Sequence, residues 1–203
     1  VTNPSDFTFG INVGGSTDYL SLDNKLFESD QYVSGSSTAS TTSGSIANTD
    51  DDALYKSYRY GNFGYDIPLQ NDTYEITIKM IESYFSASNK RVFDISAEGV
   101  LIESDLDLYA QVGKKVAYDV QFTVQVTDGE LNLDFYPSKN NAIASAIYIE
   151  NISSGLRLST SEEFGTYFEE SGGLLVMEAE HYHEKYDRIP TSGSQKEEHA
   201  WTF

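Results

Sequence analysis

The chain has 203 residues, of which 39% are hydrophobic and 22% charged, and this composition excludes an intrinsically disordered chain. Its formal net charge of −19 disfavours nucleic acid and other polyanions as partners, and the absence of Cys excludes disulfides, thiolate metal sites and a cysteine nucleophile. No long apolar run is present, so we predict no transmembrane helix and no membrane partner.

The first predicted strand runs from Phe7 to Val13. Residues 34–50 are rich in Ser, Thr and Gly, so we expect a long loop there, of a kind that is often functional or mobile in compact domains. Two short strands, Leu54 to Tyr60 and Phe63 to Ile67, are expected on either side of Gly61-Asn62, which has the composition of a hairpin turn.

The strongest strand signal lies between Tyr74 and Met80, where apolar and polar residues alternate strictly. Four further strands are predicted over Val92 to Ala97, Tyr118 to Val126, Leu131 to Phe135 and Ile143 to Ile149. No amphipathic helix is predicted before residue 160. Many short strands joined by Gly, Asn and Asp turns predict an all-β fold, an antiparallel β-sandwich of the jelly-roll type that occupies residues 1–153.

Two aromatic residues, Tyr84 and Phe85, stand side by side where the strongest strand gives way to a polar loop. Adjacent side chains on a strand point to opposite faces, so only one of these rings can enter the core. The other ring must have a role at the surface, unless the strand has already ended and both rings lie on a surface.

A series of pieces in this order resembles the malectin-like carbohydrate-binding domain over about residues 9–152: I-N-V-G-G, L-Y-K-S-Y-R-Y-G-N-F-G-Y-D-I-P, N-D-T-Y-E-I-T-I-K-M-I-E-S-Y-F, R-V-F-D-I-S-A-E-G, D-L-D-L-Y-A-Q-V-G and A-I-Y-I. The resemblance implies a β-sandwich that binds neutral glucans between aromatic rings on loops at one edge. It also implies that such domains serve as accessory modules of bacterial polysaccharide-degrading enzymes.

The resemblance assigns carbohydrate-binding roles to Tyr60, Tyr84, Phe85 and Asn140. Asn140 stands where the family has an Asp, so a charged acceptor is replaced by an amide. A further Tyr of the family has no counterpart in the Ser/Thr-rich segment, and Tyr32 is a possible substitute.

The chemistry of these residue types suits a sugar, because the apolar C–H face of a pyranose stacks on an aromatic ring. Asn140 and Asn141 can then bind the hydroxyl groups. Alternatives remain for each aromatic residue: either Tyr58 or Tyr60 could belong to the core, and Phe85 could cap it.

Two other charged features have structural explanations. We expect Arg59 to pair with a carboxylate such as Asp66 or Asp94. Asp105 and Asp107 would share one strand face, and a solvated face is favoured over a glycosidase pair or a calcium site.

Residues 154–203 differ in composition from the rest of the chain. We expect a linker with a short helix over residues 154–172, and then an ordered C-terminal extension over residues 173–203. That last segment contains G-G-L-L-V-M-E-A-E-H-Y-H and resembles the first strand of a second β-sandwich carbohydrate-binding module. His181 and His183 could face one metal ion, but no third ligand is evident, so no metal site is predicted.

The sequence shows no Ser/His/Asp spacing, phosphate loop or HExxH motif, so we predict neither catalysis nor a cofactor. The function that we expect is a non-catalytic module that binds a neutral poly- or oligosaccharide. It would be accessory to a secreted bacterial enzyme, extracellular or periplasmic, with other modules of the same chain as partners. The alternative is a structural spacer or protein-contact domain without sugar binding, in which the same rings would be covered.

Overall fold

A computed structural model describes residues 7–152, and these residues form twelve strands. The strands are β1 (Thr8–Asn12), β2 (Tyr19–Leu20), β3 (Leu26–Ser29), β4 (Val33–Thr41), β5 (Ser57–Pro68), β6 (Thr73–Met80), β7 (Val92–Ala97), β8 (Val100–Leu106), β9 (Tyr118–Gln125), β10 (Glu130–Lys139), β11 (Ala142–Ala144) and β12 (Ala146–Asn151). Two single turns of helix complete them, a 3₁₀ turn at Asp52–Tyr55 and α1 at Leu108–Gln111.

The strands form two sheets whose pairing is almost entirely antiparallel. The first sheet has the order β2-β3-β1-β12-β6-β9, and only its β1–β3 pair is parallel within the described residues. The second has the order β11-β5-β10-β7-β8, and β4 pairs with the other edge of β5. This arrangement confirms the predicted β-sandwich.

The core lies between the two sheets and follows from the alternation in the sequence. Along β6, Tyr74, Ile76, Ile78 and Met80 are at most 2% exposed, and the residues between them are half-buried. One face of a strand is thus removed from water, which is the main favourable contribution to folding. The prediction for this strand is confirmed.

The long loop predicted over residues 34–50 was wrong for its first half, because Val33–Thr41 forms β4. This strand lacks apolar alternation because it lies at the sheet edge with both faces largely solvated, and its order comes from backbone pairing with β5. Thr and Ser suit such an exposed strand, so composition alone resembles that of a loop.

The predicted break at Gly61-Asn62 was also wrong. Residues 52–55 form the 3₁₀ turn, and β5 then continues from Ser57 through Gly61 to Pro68. A Cβ atom at Gly61 would lie 2.3 Å from the carbonyl oxygen of Ser36 on β4. Glycine is therefore required there by the close approach of a neighbouring strand, not by a turn.

Asp105 and Asp107 do not share a strand face as predicted. β8 ends at Leu106, and Asp107 is the N-cap of α1, where its side chain accepts a hydrogen bond from the backbone N–H of Ala110 at 3.1 Å. Asp105 has a positive φ of 52° at the end of the strand. The second carboxylate is thus used for helix capping.

Every prediction for residues 154–203, including the linker, the C-terminal segment, His181 and His183, lies outside the described residues. Between residues 7 and 152, no helix combines the length and the apolar composition needed to cross a membrane.

Candidate functional site

A cleft of about 350 Å³ opens beside the first half of β5, and we call it the aromatic cleft. Its lining residues are Ser40, Tyr58, Tyr60, Ser83, Tyr84, Phe85, Arg91, Asn140 and Asn141. Three parts of the chain meet here, which are the paired strands β4 and β5, the segment between β6 and β7, and the turn between β10 and β11.

Strand β5 supplies the first wall of the cleft. Tyr58 and Tyr60 are two residues apart and therefore point to the same side of the strand. Their ring centroids are 6.3 Å apart, and both rings are half-buried because they also pack against the core. Both residues also line the cleft, so packing against the core does not remove either of them from it.

The segment after β6 supplies the second wall. Tyr84 is 73% exposed and Phe85 is half-buried. Their rings meet edge to face, with centroids 5.0 Å apart at an angle of 89°. The strand has ended at Met80, so both rings lie at the surface of the cleft, which answers the question that the paired aromatics raise.

The buried carboxylate of Glu82 fixes the backbone of this aromatic pair. Its Oε1 atom accepts hydrogen bonds from the backbone N–H groups of Tyr84 at 2.8 Å and Phe85 at 2.9 Å. The ammonium group of Lys114 donates to the Tyr84 carbonyl oxygen at 2.6 Å. The exposed Tyr84 ring therefore stands on a backbone that is held on both sides, which lowers the entropy lost when a ligand binds.

Arg91 connects the aromatic pair to the turn between β10 and β11. Its Nε atom donates to Oε2 of Glu82 at 2.8 Å, and its Nη1 atom donates to the Asn141 carbonyl oxygen at 2.6 Å. Its guanidinium lies 5.4 Å from the centroid of the Phe85 ring. Glu82 binds the backbone of the aromatic pair and Arg91 binds the turn, so this buried ion pair fixes the distance between the aromatic pair and the turn.

The turn before β11 supplies the third wall. Asn140 has a φ of 64°, a left-handed conformation that Asn adopts more readily than most residues. The side-chain amide of Asn141 donates to Oδ1 of Asn140 at 3.0 Å. Asn140 is exposed, so its side chain is accessible to a ligand in the cleft.

The structure thus brings together the four predicted binding residues Tyr60, Tyr84, Phe85 and Asn140 around one cleft. Tyr32, the possible substitute for a missing Tyr, does not line it; its ring contacts Phe9, with centroids 6.1 Å apart.

The sequence did not identify five residues of the cleft and its support: Ser40, Glu82, Ser83, Arg91 and Lys114. Ser40 belongs to the strand that was predicted as a loop. Glu82 and Arg91 lie in the segment between β6 and β7 and form an ion pair there. Hydrophobic periodicity does not predict such a contact.

Arg59 lies outside the aromatic cleft and pairs with a carboxylate as predicted, but the two carboxylates suggested for it were wrong. Its Nε atom bonds to Asp30, not to Asp66 or Asp94. Asp30 also accepts hydrogen bonds from the Tyr65 hydroxyl at 2.7 Å and the Gly14 N–H at 2.8 Å. The carboxylate thus joins three parts of the fold, and Arg59 is structural.

A second cleft, of about 360 Å³, lies elsewhere in the fold, and we call it the lysine cleft. Its lining residues are Leu22, Asp23, Lys25, Phe27, Thr49, Asp50, Asp51, Leu54, Tyr55, Thr77, Lys79 and Tyr148. The Lys25 ammonium covers the ring of Tyr148 at 4.2 Å from its centroid. Tyr148 and Tyr55 are only 6% and 3% exposed, so no ring face is open to a ligand.

Asp119 does not line the lysine cleft, but it binds two residues that do. It accepts hydrogen bonds from the Tyr55 hydroxyl and from the Lys79 ammonium, both at 2.6 Å. Burial, together with the bond to this carboxylate, raises the pKa of the Tyr55 phenol far above its usual value of 10. Among the described residues, no group of three His, Asp or Glu side chains could hold a metal ion.

Comparison with known proteins supports the resemblance in the sequence. A family model described as "Malectin domain" matches residues 7–154. Malectin-B of Xenopus laevis is 37% identical over 90 residues, which make up 43% of this chain and 33% of that protein. The matched region therefore spans about a third of the length of this relative.

Solved structures share the fold at low sequence identity. The β-glucuronidase of Bacteroides uniformis matches with a TM-score of 0.63 and 20% identity, over 72% of this chain and 18% of that chain. The ANXUR1 extracellular domain of Arabidopsis thaliana matches with a TM-score of 0.63 and 18% identity, over 70% of this chain and 47% of that chain.

Proposed function

Because the chain belongs to the Malectin domain family, a carbohydrate-binding fold, we propose that it is a non-catalytic module that binds a neutral oligo- or polysaccharide in the aromatic cleft. The observation that carries this proposal is the Tyr84 ring, which is 73% exposed at the cleft on a backbone fixed by Glu82. A ring this exposed contributes little to the core, and it lies next to Phe85 in a cleft where the apolar face of a sugar would cover it.

The cleft offers each kind of contact that a sugar needs. Tyr84 and Phe85 present rings at right angles, so that one can stack on a pyranose face while the other bounds its edge. The hydroxyls of Tyr58 and Tyr60 and the amide of Asn140 provide donors and acceptors for hydroxyl groups. An apolar surface combined with a few placed polar groups is the usual composition of a small-molecule site.

The charge of the cleft favours a neutral ligand. Of its lining residues only Arg91 is charged, and its partner Glu82 compensates it within the same buried pair. The net charge of −19 on the chain adds a general repulsion of anionic polymers. A neutral sugar is not repelled by the net charge of the chain, and it needs no free charge in the cleft to bind.

The biological setting that we propose is a secreted, extracellular or periplasmic bacterial enzyme in which this chain is an accessory module beside others. A domain of the same fold makes up 18% of the β-glucuronidase chain, which supports such an arrangement. The alternative, a spacer or protein-contact domain without sugar binding, requires the cleft rings to be covered. The 73% exposure of Tyr84 argues against a plain spacer, whereas a protein-contact domain would also present this residue until its partner binds.

A glycan array of neutral and acidic oligosaccharides, probed with the chain and with Tyr84→Ala, tests the proposal. We expect binding to a group of related neutral glycans and a marked loss of signal with the variant. Binding restricted to acidic glycans, or no binding by the folded chain to any glycan, would refute it.

A further inference from the structure

Arg91 is the one charged residue that lines the aromatic cleft, and it is 5% exposed. A guanidinium keeps its charge in a protein, and burial removes the water that would otherwise accept hydrogen bonds from its nitrogens. A buried guanidinium nitrogen without a new acceptor therefore costs free energy. Nε is bonded to Glu82 and Nη1 to the Asn141 carbonyl oxygen. Among residues 7–152, Nη2 donates no hydrogen bond to any other group.

A buried nitrogen donor without a protein partner is uncommon, and in the wall of a cleft it indicates a place for a ligand acceptor. We propose that Nη2 of Arg91 donates a hydrogen bond to a sugar oxygen at the floor of the aromatic cleft. Arg91 is then a specificity-determining residue for the proposed carbohydrate binding, on which this inference rests. The rings stack on the sugar from the side, and Arg91 binds its edge from below.

Glu82 determines whether Arg91 can bind a hydroxyl group or a carboxylate of the ligand. Its side chain is 1% exposed, and its two oxygens already accept three hydrogen bonds, from Tyr84, Phe85 and Arg91. The Arg91–Glu82 pair therefore carries no net charge. A uronate carboxylate at the floor would add an uncompensated negative charge beside Glu82, whereas a hydroxyl adds none.

The ligand class that follows is an uncharged sugar with a hydroxyl group on the edge that enters the cleft. The same geometry gives Glu82 two roles, one in positioning the aromatic pair and one in compensating the charge of Arg91. It holds the backbone of Tyr84 and Phe85 for stacking, and it removes the attraction that an unpaired Arg91 would have for acids.

Isothermal titration calorimetry with the wild-type chain and three variants tests this inference. The probes are neutral glucose disaccharides of each linkage and their glucuronic acid counterparts. Arg91→Lys keeps a cation beside Glu82 but lacks the Nη1 and Nη2 atoms, so we expect affinity for the neutral disaccharides to fall by about tenfold. Glu82→Gln leaves Arg91 uncompensated, so we expect the ratio of uronate affinity to neutral affinity to rise by about tenfold.

The third variant, Tyr84→Ala, separates the two proposals. If the wild-type chain binds no neutral disaccharide, the proposed function fails and this inference fails with it. If Tyr84→Ala weakens binding while Arg91→Lys binds like wild type, the function stands and the role of Arg91 is refuted. An unchanged uronate-to-neutral ratio in Glu82→Gln refutes the role of Glu82.

A direct measurement covers the case in which a variant does not fold. The wild-type chain, labelled with ¹⁵N-arginine, is saturated with its best neutral disaccharide, and the guanidinium signals are recorded by NMR. We expect a shift and slower proton exchange at Nη2 of Arg91, while Arg59, outside the cleft, serves as the unmoved internal control. No change at Arg91 on saturation would overturn the inference.

Discussion

The aromatic cleft and the lysine cleft have nearly equal volumes, about 350 and 360 Å³, and both contain tyrosines and basic side chains. They differ in which groups are buried. In the aromatic cleft the charged groups of Arg91 and Glu82 are buried, and Tyr84 is exposed. In the lysine cleft Tyr55 and Tyr148 are buried, and the side chains of the two lysines are partly exposed. Residue content alone therefore does not define a binding site.

The difference follows from what each ring packs against. Tyr148 packs on Phe27, with ring centroids 5.5 Å apart, and the Lys25 ammonium lies 4.2 Å from the Tyr148 centroid, so the ring contributes to stability. Tyr84 meets the ring of Phe85 edge to face but is otherwise largely exposed, and its backbone is held by hydrogen bonds. The first ring stabilises the fold, and the second is available to a ligand.

The largest effect that separates the clefts should come from Tyr148→Ala. Removing a buried ring from the Phe27 cluster should lower the free energy of unfolding by roughly 3 kcal/mol. Chemical denaturation measures this loss, and glycan affinity per folded molecule should be unchanged. A loss of glycan affinity in the folded fraction would show that the lysine cleft takes part in binding.

Alkaline pH should reveal the buried phenol of the lysine cleft. The pKa of Tyr55 is raised in the folded state, so its contribution to stability is complete below pH 10 and is lost as pH rises from there towards the folded-state value. In Tyr55→Phe this dependence should be shallower, by about 1.4 kcal/mol per pH unit, because one proton fewer is linked to unfolding.

Denaturation curves at several pH values above 10 measure that slope in both proteins. Equal slopes for Tyr55→Phe and wild type would mean that Tyr55 is not protected from ionisation.

Tyr84→Ala should show the reverse of Tyr148→Ala. Loss of stacking on one ring should weaken neutral glycan binding by about 1 kcal/mol, or roughly fivefold in Kd. The exposed ring packs on little, so the free energy of unfolding should stay within about 0.5 kcal/mol of wild type. Should the variant unfold while the folded fraction binds normally, the ring belongs to the core.

The smallest effect concerns salt. A neutral ligand in a cleft with a compensated charge pair should bind with the same Kd at low and high salt, because no net charge is neutralised on binding. Calorimetric titrations of one neutral glycan at both salt concentrations test this. Binding that weakens steeply with salt, or tight binding of a polyanionic glycan in chelator-treated buffer at low salt, would contradict the neutral-sugar proposal.

The sequence was sufficient to predict parts of the fold that depend on alternation, as in β6, where every second side chain enters the core. It failed at β4, whose order comes from backbone pairing with β5 and not from the burial of every second side chain. It also failed at Gly61, because a glycine required by a neighbouring backbone looks the same in sequence as one required by a turn.

The candidate site divides in the same way. Tyr84 and Phe85 attract attention in the sequence because two adjacent rings cannot both enter a core from one strand. The pairing of Glu82 with Arg91 depends on how the segment between β6 and β7 returns on itself, and the contact of Arg91 with Asn141 joins residues 50 apart in the chain. Such contacts are set by tertiary structure and leave no local pattern.

The most direct test of the account is to map, by NMR backbone amide shifts, where a neutral oligosaccharide binds on the wild-type chain. We predict that the largest shifts occur at Tyr84, Phe85, Asn140 and Asn141, with no change at Lys25 or Tyr148. Shifts centred on Lys25 and Tyr148, or no shifts with any member of a broad neutral panel, would contradict the claim that the exposed rings of the aromatic cleft form a sugar-binding site.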